Sequence, residues 1–405
     1  MNMKKELLHS AFVLTLLATF SFFQCKKAAD NGPCEKIGET LLKARPSLLM
    51  PMPQTVYHHP RILGGKVWFY SNSVLNGVDI ERGTVNLIQH PIGFRLLNPN
   101  QSTQSYLGTD EASIFLFDPA SETWETIYTA ASTDFIDYDL DLYSDHGLLP
   151  FVEANKASLV QTIAVFDLPG HQKRALPNLI NFQSQNPFRI LAQPKVFVRI
   201  GPGNSPDTVL TTLVRFSSKS TSSLLVYSLT HQSVKANAPL DALSYVDALK
   251  IGDHFALTTT GSLYNQTMVM FNPFTAEEIW RKNAGGWIQK DGDLFRIVDG
   301  ILGGLEKTNL QNGQKMHALP YDVDPFSAFA MQDHYGFLGR ETPDAIEGLR
   351  NHLVLFNDEG CEIFREKLPY PLSLGYQISS LIYSPDHKQV LSMDEEKNLH
   401  FLKLE

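Results

Sequence analysis

An all-β repeat fold is what this sequence predicts, and three observations predict it. Beyond residue 50 no segment sustains a 3.6-residue apolar period, so long amphipathic helices are not expected. Short runs rich in β-branched and aromatic residues recur instead between clusters of Gly, Pro, Asn and Asp. One unit also repeats: an apolar strand ending at Asp, Asn or Ser, a short polar turn, and a second, more polar strand.

The clearest copies run from Ile114 to Asp118, Ile163 to Asp167, Leu224 to Ser228, Met268 to Asn272 and Leu353 to Asn357. Weaker copies end at Asp79 and near Asn309. These anchor residues lie 37 to 61 positions apart, an irregular but bounded period. A β-propeller has this signature, because each repeat is one four-stranded blade and length variation is absorbed in loops. About eight blades are expected over residues 51–405, or seven if the long 167-to-228 interval hides an insertion or one weak repeat is misread.

The final repeat supplies three strands, at Ser379 to Asp386, Gln389 to Ser392 and Asn398 to Leu404, and so lacks its fourth. The segment around Gln54 to His58 is expected to provide it, joining first and last blades and removing two exposed sheet edges. Residues 25–50 read as a tether with one short helix at Glu35 to Ala44, punctuated by Pro46 and, just past it, Pro51 and Pro53.

The chain carries 34 Lys+Arg against 43 Asp+Glu, a formal charge of −9, which argues against nucleic-acid and polybasic lipid-binding surfaces. Three cysteines exclude a disulfide-scaffold class. Residues 1–24 read as a signal peptide: Lys4 and Lys5 precede an uncharged apolar run from Leu7 to Phe23. Cys25 follows at the border with Lys26 and Lys27. This boundary resembles a bacterial lipoprotein signal, with Gln24 and Phe22 where small residues are usual. The resemblance implies that the Cys25 thiol is acylated and that the protein is tethered in the cell envelope, in the outer membrane. Export to an oxidising compartment leaves Cys34 and Cys361 as a candidate disulfide, with two free thiols as the alternative.

Three hairpins carry further resemblances. Asp118-Pro119-Ala120-Ser121-Glu122-Thr123-Trp124 resembles a kelch hairpin, and Asn272 to Trp280 is similar to a quinoprotein-type hairpin. Ile382 to Lys388 is similar to the turn of tryptophan-aspartate repeats. In each, an Asp or Asn before Pro, or a Pro-Asp pair, pre-sets a turn, and the aromatic at the far end is expected to cover the neighbouring blade. Length, lipid signal and repeat type together resemble the propeller lipoprotein of the outer-membrane β-barrel assembly machinery, a family of non-catalytic binding scaffolds.

The densest acidic cluster places Asp137, Asp139, Asp141 and Asp145 at positions 1, 3, 5 and 9 of a candidate calcium loop. Leu142 stands where such loops place Gly, and the alternation with Tyr138, Leu140 and Leu142 fits a strand with one solvated acidic face. His58 and His59 alternate in direction and cannot share a metal. Gly285-Gly286 and Gly303-Gly304 read as turns, and Trp68, Trp124, Trp280 and Trp287 as blade packing. No catalytic triad is indicated, and no cofactor beyond calcium. The expected function is a monomeric, lipid-anchored scaffold that binds an envelope protein or a glycan, through loops such as Gly201 to Asp207 and Arg340 to Arg350. The alternative is a propeller enzyme with a central-channel site, either a quinoprotein-like oxidoreductase or a lactonase-like hydrolase.

Overall fold

The structure is a computed structural model. It describes residues 42–44, 58–63, 66–71, 74–79, 82, 85–89, 96–100, 105–137, 144–201, 206–241, 245–259, 266–290, 292–298, 304–320, 323–324, 327–330, 334–342, 351–368, 382–384, 389–393 and 399–404. Among these residues the strands form eight antiparallel sheets, numbered here in chain order.

Sheet 1 runs His58–Leu63, Lys66–Ser71, Val74–Asp79 and Val85–Gln89. Sheet 2 runs Leu96–Asn100, Ser105–Thr109, Ser113–Asp118 and Thr123–Thr129. Sheet 3 is Asp134–Ile136, Leu148–Asn155, Gln161–Asp167 and Gln172–Arg174. Sheet 4 has five strands because the long Pro206–Phe216 strand pairs with both Phe188–Ile190 and Lys195–Ile200 before Ser222–Ser228 and Ser233–Pro239 follow. Sheets 5, 6 and 7 repeat the simple four-stranded order, beginning at Tyr245, Gly286 and Phe329. Sheet 8 combines Ile382–Ser384, Gln389–Met393 and Leu399–Leu404 with Leu42–Ala44.

First strands approach one another around sheets 7, 8, 1 and 2: Phe329–Ala330 meets Ile382–Ser384, which meets His58–Leu63, which meets Leu96–Asn100. In a propeller such contacts mark the first strands as the inner ring. The third strand of each sheet lies between two others, and those whose side chains are described are largely buried, which is why they read as apolar runs: all of Ser222–Ser228 is buried. The outer strand Ser233–Pro239 alternates between exposed and half-buried.

All seven anchor residues read from the sequence stand at the end of a third strand, and in each the side-chain oxygen accepts a backbone N–H from the following turn. Asp79 takes Arg82 N, Asp118 takes Ala120 N and Asp167 takes Gly170 N. Ser228, Asn272, Asn309 and Asn357 accept from His231, Phe274, Gln311 and Glu359. Only short side chains carrying an oxygen can close such a turn, so Asp, Asn and Ser recur. The turn then passes through a left-handed residue at Glu122, His171, Gln232, Ala276, Gly313 or Gly360. His171, at φ 48 and mostly exposed, gains little from this conformation. His171→Gly is expected to raise stability by about 0.5 kcal/mol, measured as an upward shift in a denaturant midpoint.

Two expectations are corrected. The strand that pairs with the C-terminal one is Leu42–Ala44, with Leu42 opposite Leu404 and Ala44 opposite Leu402. It lies at the end of the segment read as a helix; residues 35–41 and Gln54 to Tyr57 fall outside the described residues. His58 instead opens sheet 1. The physical reason is that an outer strand of three residues is held by its ladder to Leu402–Leu404 rather than by an amphipathic pattern of its own. The second correction is a helix, α1 (Pro177–Gln185), between sheets 3 and 4. Pro177 starts it at a position where a missing N–H costs nothing, and Leu179 and Gln183 are its buried residues. With the extra strand of sheet 4, this helix accounts for the long 167-to-228 interval.

Each pair of consecutive sheets has its own apolar cluster, from Trp68, Leu75, Tyr106 and Phe117 between sheets 1 and 2 to Phe329, Leu353 and Val390 between sheets 7 and 8. Polar ties reinforce them. Tyr106 donates to the Trp68 carbonyl, Gln193 to the Pro150 carbonyl and Thr211 to the Pro273 carbonyl. Trp280 Nε1 donates to the Leu310 carbonyl at 2.7 Å, so this aromatic covers the next sheet as expected. Trp124 packs at 5.0 Å from Phe117, and Trp280 at 6.0 Å from Trp287.

Candidate functional site

Between sheets 3 and 4 a groove encloses about 740 Å³. Its walls come from three places: the hairpin joining the second and third strands of sheet 3, helix α1, and the first residues of sheet 4. Apolar lining is supplied by Phe135, Leu159, Val160, Ile180 and Phe188. Among the described residues six large apolar side chains are exposed, and three of them, Leu159 at 69%, Val160 at 54% and Ile180 at 49%, line this one groove. Scattered exposed apolar residues are ordinary, whereas their concentration in one concavity marks a contact surface.

Local chemistry holds Leu159 there. Asn155 Oδ1 accepts N–H bonds from Ala157 and Ser158, and Leu159 N donates to the Asn155 carbonyl at 2.8 Å. This closes a tight turn that forces Leu159 to φ 55. A leucine costs about 1 kcal/mol in that conformation, where glycine would cost nothing sterically. The turn thus carries both backbone strain and a solvated leucine.

The groove floor is polar and already assembled. Gln161 Nε2 donates to Asp137 Oδ2 at 2.6 Å, and Gln161 Oε1 accepts from Ile190 N at 2.8 Å. Gln183 of α1 donates to the Gln161 carbonyl. Both glutamines are buried. Arg189 stands exposed at the edge and makes no ion pair among the described residues. The arrangement offers apolar contact along its length, fixed amides beneath and one guanidinium for an acidic group.

The acidic cluster resolves differently from a calcium loop where it is described. Asp137 is engaged by Gln161, and Asp145 pairs with the Lys250 ammonium, which also donates to the Val196 carbonyl at 2.9 Å. Lys250 thereby ties sheets 3, 4 and 5 near the inner ring, with burial pulling its ammonium down to about 8. Asp139 and Asp141 fall outside the described residues. Among the described residues no group of three His, Cys, Asp or Glu is placed to hold a metal. The loops expected at Gly201 to Asp207 and Arg340 to Arg350 are described only at their ends.

Cys361 is disulfide-bonded and mostly buried, in the turn after the third strand of sheet 7. Cys25 and Cys34, the chain's other cysteines, lie outside the described residues. Beside it, a titratable cluster joins sheets 6 and 7. The buried Lys307 ammonium lies 3.2 Å from Asp293 and 3.3 Å from Asp358, and His317 Nε2 meets the Tyr335 hydroxyl. Burial and then the Lys307 charge pull His317 from 6.5 down to about 4, and burial pushes the Tyr335 phenol up. The folded state therefore binds fewer protons than the unfolded chain between these values. Its stability is complete above pH 6.5 and falls as the pH drops toward 4. Allowing for the half-open ring, the loss should be about 1–2 kcal/mol, and His317→Gln should flatten that part of a melting-temperature profile against pH.

No protein-family model matches the chain, and no curated protein matches its sequence. Solved structures share its architecture. The computationally designed Ika8 protein aligns at a TM-score of 0.51 and 9% identity, over 87% of this chain and 98% of that one. The Dos1 propeller aligns at 0.46 and 9%, over 86% and 93%. An oligogalacturonate lyase in complex with manganese aligns at 0.43 and 9%, over 90% and 96%. The chain is a β-propeller. At such identities the likeness is one of fold alone.

Proposed function

We propose that this propeller is a lipid-anchored component of the bacterial cell envelope that binds another envelope protein through the groove between sheets 3 and 4. The observation that carries the reading is Leu159, exposed at 69% and held at positive φ beside Val160 and Ile180. A free-standing fold gains nothing from strain spent on a solvated leucine; a surface that closes on a partner recovers its burial, worth about 2 kcal/mol. Charge adds direction: the exposed Arg189 favours a segment with an apolar face and an acidic residue. The signal-like first 24 residues and Cys25 support the anchor.

The test places a photoactivatable cross-linker at Ser184, on the groove wall, in cells that make the full chain. A discrete protein adduct is expected, and Leu159→Asp or Arg189→Glu should each reduce it roughly tenfold, the loss of one buried apolar side chain or one charge pair. An adduct indifferent to both substitutions would remove the groove from the function. Leu159→Gly adds a second readout: it should raise the melting temperature while weakening the adduct.

A further inference from the structure

We infer that the face of the propeller bearing the turns between third and fourth strands lies against the membrane, and that the groove opens on the opposite face. The inference rests on the lipid-anchor reading of Cys25 and assigns an orientation to it.

Two observations from different sheets place the N-terminal tether. In sheet 8, Leu42 pairs with Leu404 and Ala44 with Leu402, antiparallel. The chain therefore enters Leu42 beside the far end of a third strand, on the face of the third-to-fourth-strand turns. In sheet 7, Cys361 sits in the turn between His352–Asn357 and Glu362–Lys367, which is again a third-to-fourth-strand turn. Cys361 is disulfide-bonded, and the chain's two other cysteines, Cys25 and Cys34, both precede Leu42. An acylated Cys25 has no thiol left to share, so on the lipid-anchor reading the bridge falls to Cys34. The nine residues from Cys34 back to Cys25 can then span at most about 30 Å. A covalent tie and a strand ladder thus bring the tether to one face, and a short leash holds the acyl chains near it.

The groove lies on the other face. Leu159 and Val160 belong to the turn between the second and third strands of sheet 3, and Ser217 follows the second strand of sheet 4. Helix α1 connects a fourth strand to the next first strand, which places it on that same side. In a propeller these two kinds of connection share one face.

Charge says what holds the proximal face down. Of the seven anchored turns, only the one after Asp79 contains a Lys or Arg, Arg82, while Asp118, Glu122, Asp167, Asp358 and Glu359 are acidic. These turns offer anionic headgroups little attraction, so the acyl chains carry most of the attachment, and the association should resist salt.

The experiment uses the acylated full chain in phosphatidylethanolamine–phosphatidylglycerol vesicles carrying a rhodamine-labelled lipid acceptor. Single fluorophores are attached through cysteines at Ala120 or Thr275, in third-to-fourth-strand turns, or at Ser158 or Ser220, in second-to-third-strand turns, each variant first shown to keep the native melting temperature. The two faces stand about 20 Å apart, one strand length, so energy transfer from Ala120 and Thr275 should exceed that from Ser158 and Ser220 roughly twofold or more. Equal transfer from all four, or the reverse order, would overturn the orientation while leaving the anchor standing. A chain that fails to float with the vesicles would instead overturn the anchor, and the orientation with it. Release of the protein by high salt would overturn attachment through the acyl chains.

Discussion

Replacing Cys361 by Ser should cost the fold about 3–5 kcal/mol, more than any exposed substitution, and treatment of the native protein with a reductant should reproduce the loss. Cys361 is disulfide-bonded and the chain's other two cysteines stand at positions 25 and 34, so a bridge within the chain would enclose more than 300 residues. A loop of that length removes more entropy from the unfolded chain than a short one, although the gain grows only with the logarithm of length. The bond also acts in the sheet next to a short join. Sheet 8 takes its fourth strand from Leu42–Ala44, a ladder of three residues, and three residues of backbone pairing cannot by themselves repay their ordering entropy. Thermal unfolding of wild type and Cys361→Ser under oxidising conditions checks the expectation, and limited proteolysis should cut within Leu42–Ala44 faster in the variant. An unchanged midpoint would mean that the ladder and its apolar neighbours suffice.

Gly336→Ala should cost about 3 kcal/mol through overpacking. Gly336 stands opposite Phe329 in the ladder between the first two strands of sheet 7. A Cβ added there would lie 2.2 Å from the Phe329 ring and 2.8 Å from Leu355 Cδ2, and Phe329 is 1% exposed with no room to withdraw. Trp68 covers Gly77 in the same way across sheet 1, where the corresponding approach is 2.4 Å. An aromatic laid over a cross-strand glycine fills the space that the glycine leaves, and this pairing appears in both sheets. Gly292→Ala is the control: at φ +94 with nothing within 4 Å, it should register backbone strain alone, about 1 kcal/mol. If Gly336→Ala is no worse than the control, the packing argument fails; Phe329→Leu added to it should recover part of the loss.

What could be read from the sequence follows the range of the interactions involved. The anchors at Asp118, Asp167, Ser228, Asn272 and Asn357 were legible because each bonds a backbone N–H two or three residues away. Third strands were legible because burial on both faces leaves an unbroken apolar run. The partner of Leu399–Leu404 was not, since Leu42–Ala44 is short and its register is set by residues more than 350 positions away. Helix α1 offered only Pro177 as a start signal, and its buried residues are few. In the acidic cluster the spacing was visible, but the ties to Gln161 and Lys250, 24 and 105 residues distant, were not. The groove was missed because Leu159 and Val160 stand in a turn, where apolar residues carry no periodic signal. Asn155 four residues before Leu159 repeats the spacing of Asp118 to Glu122 and Asp167 to His171, and it was the one available clue.

The pairing of Leu42 with Leu404 also sets an order of events. Strand Leu42–Ala44 emerges early in synthesis, yet the backbone groups it must satisfy are delivered only with the last residues of the chain. Until then the first sheet lacks a neighbour on one side and the growing assembly keeps a raw border that could recruit a second molecule. A nascent copy stalled before residue 399 should therefore be the species that aggregates, and factors that shepherd exported chains should matter most in that interval.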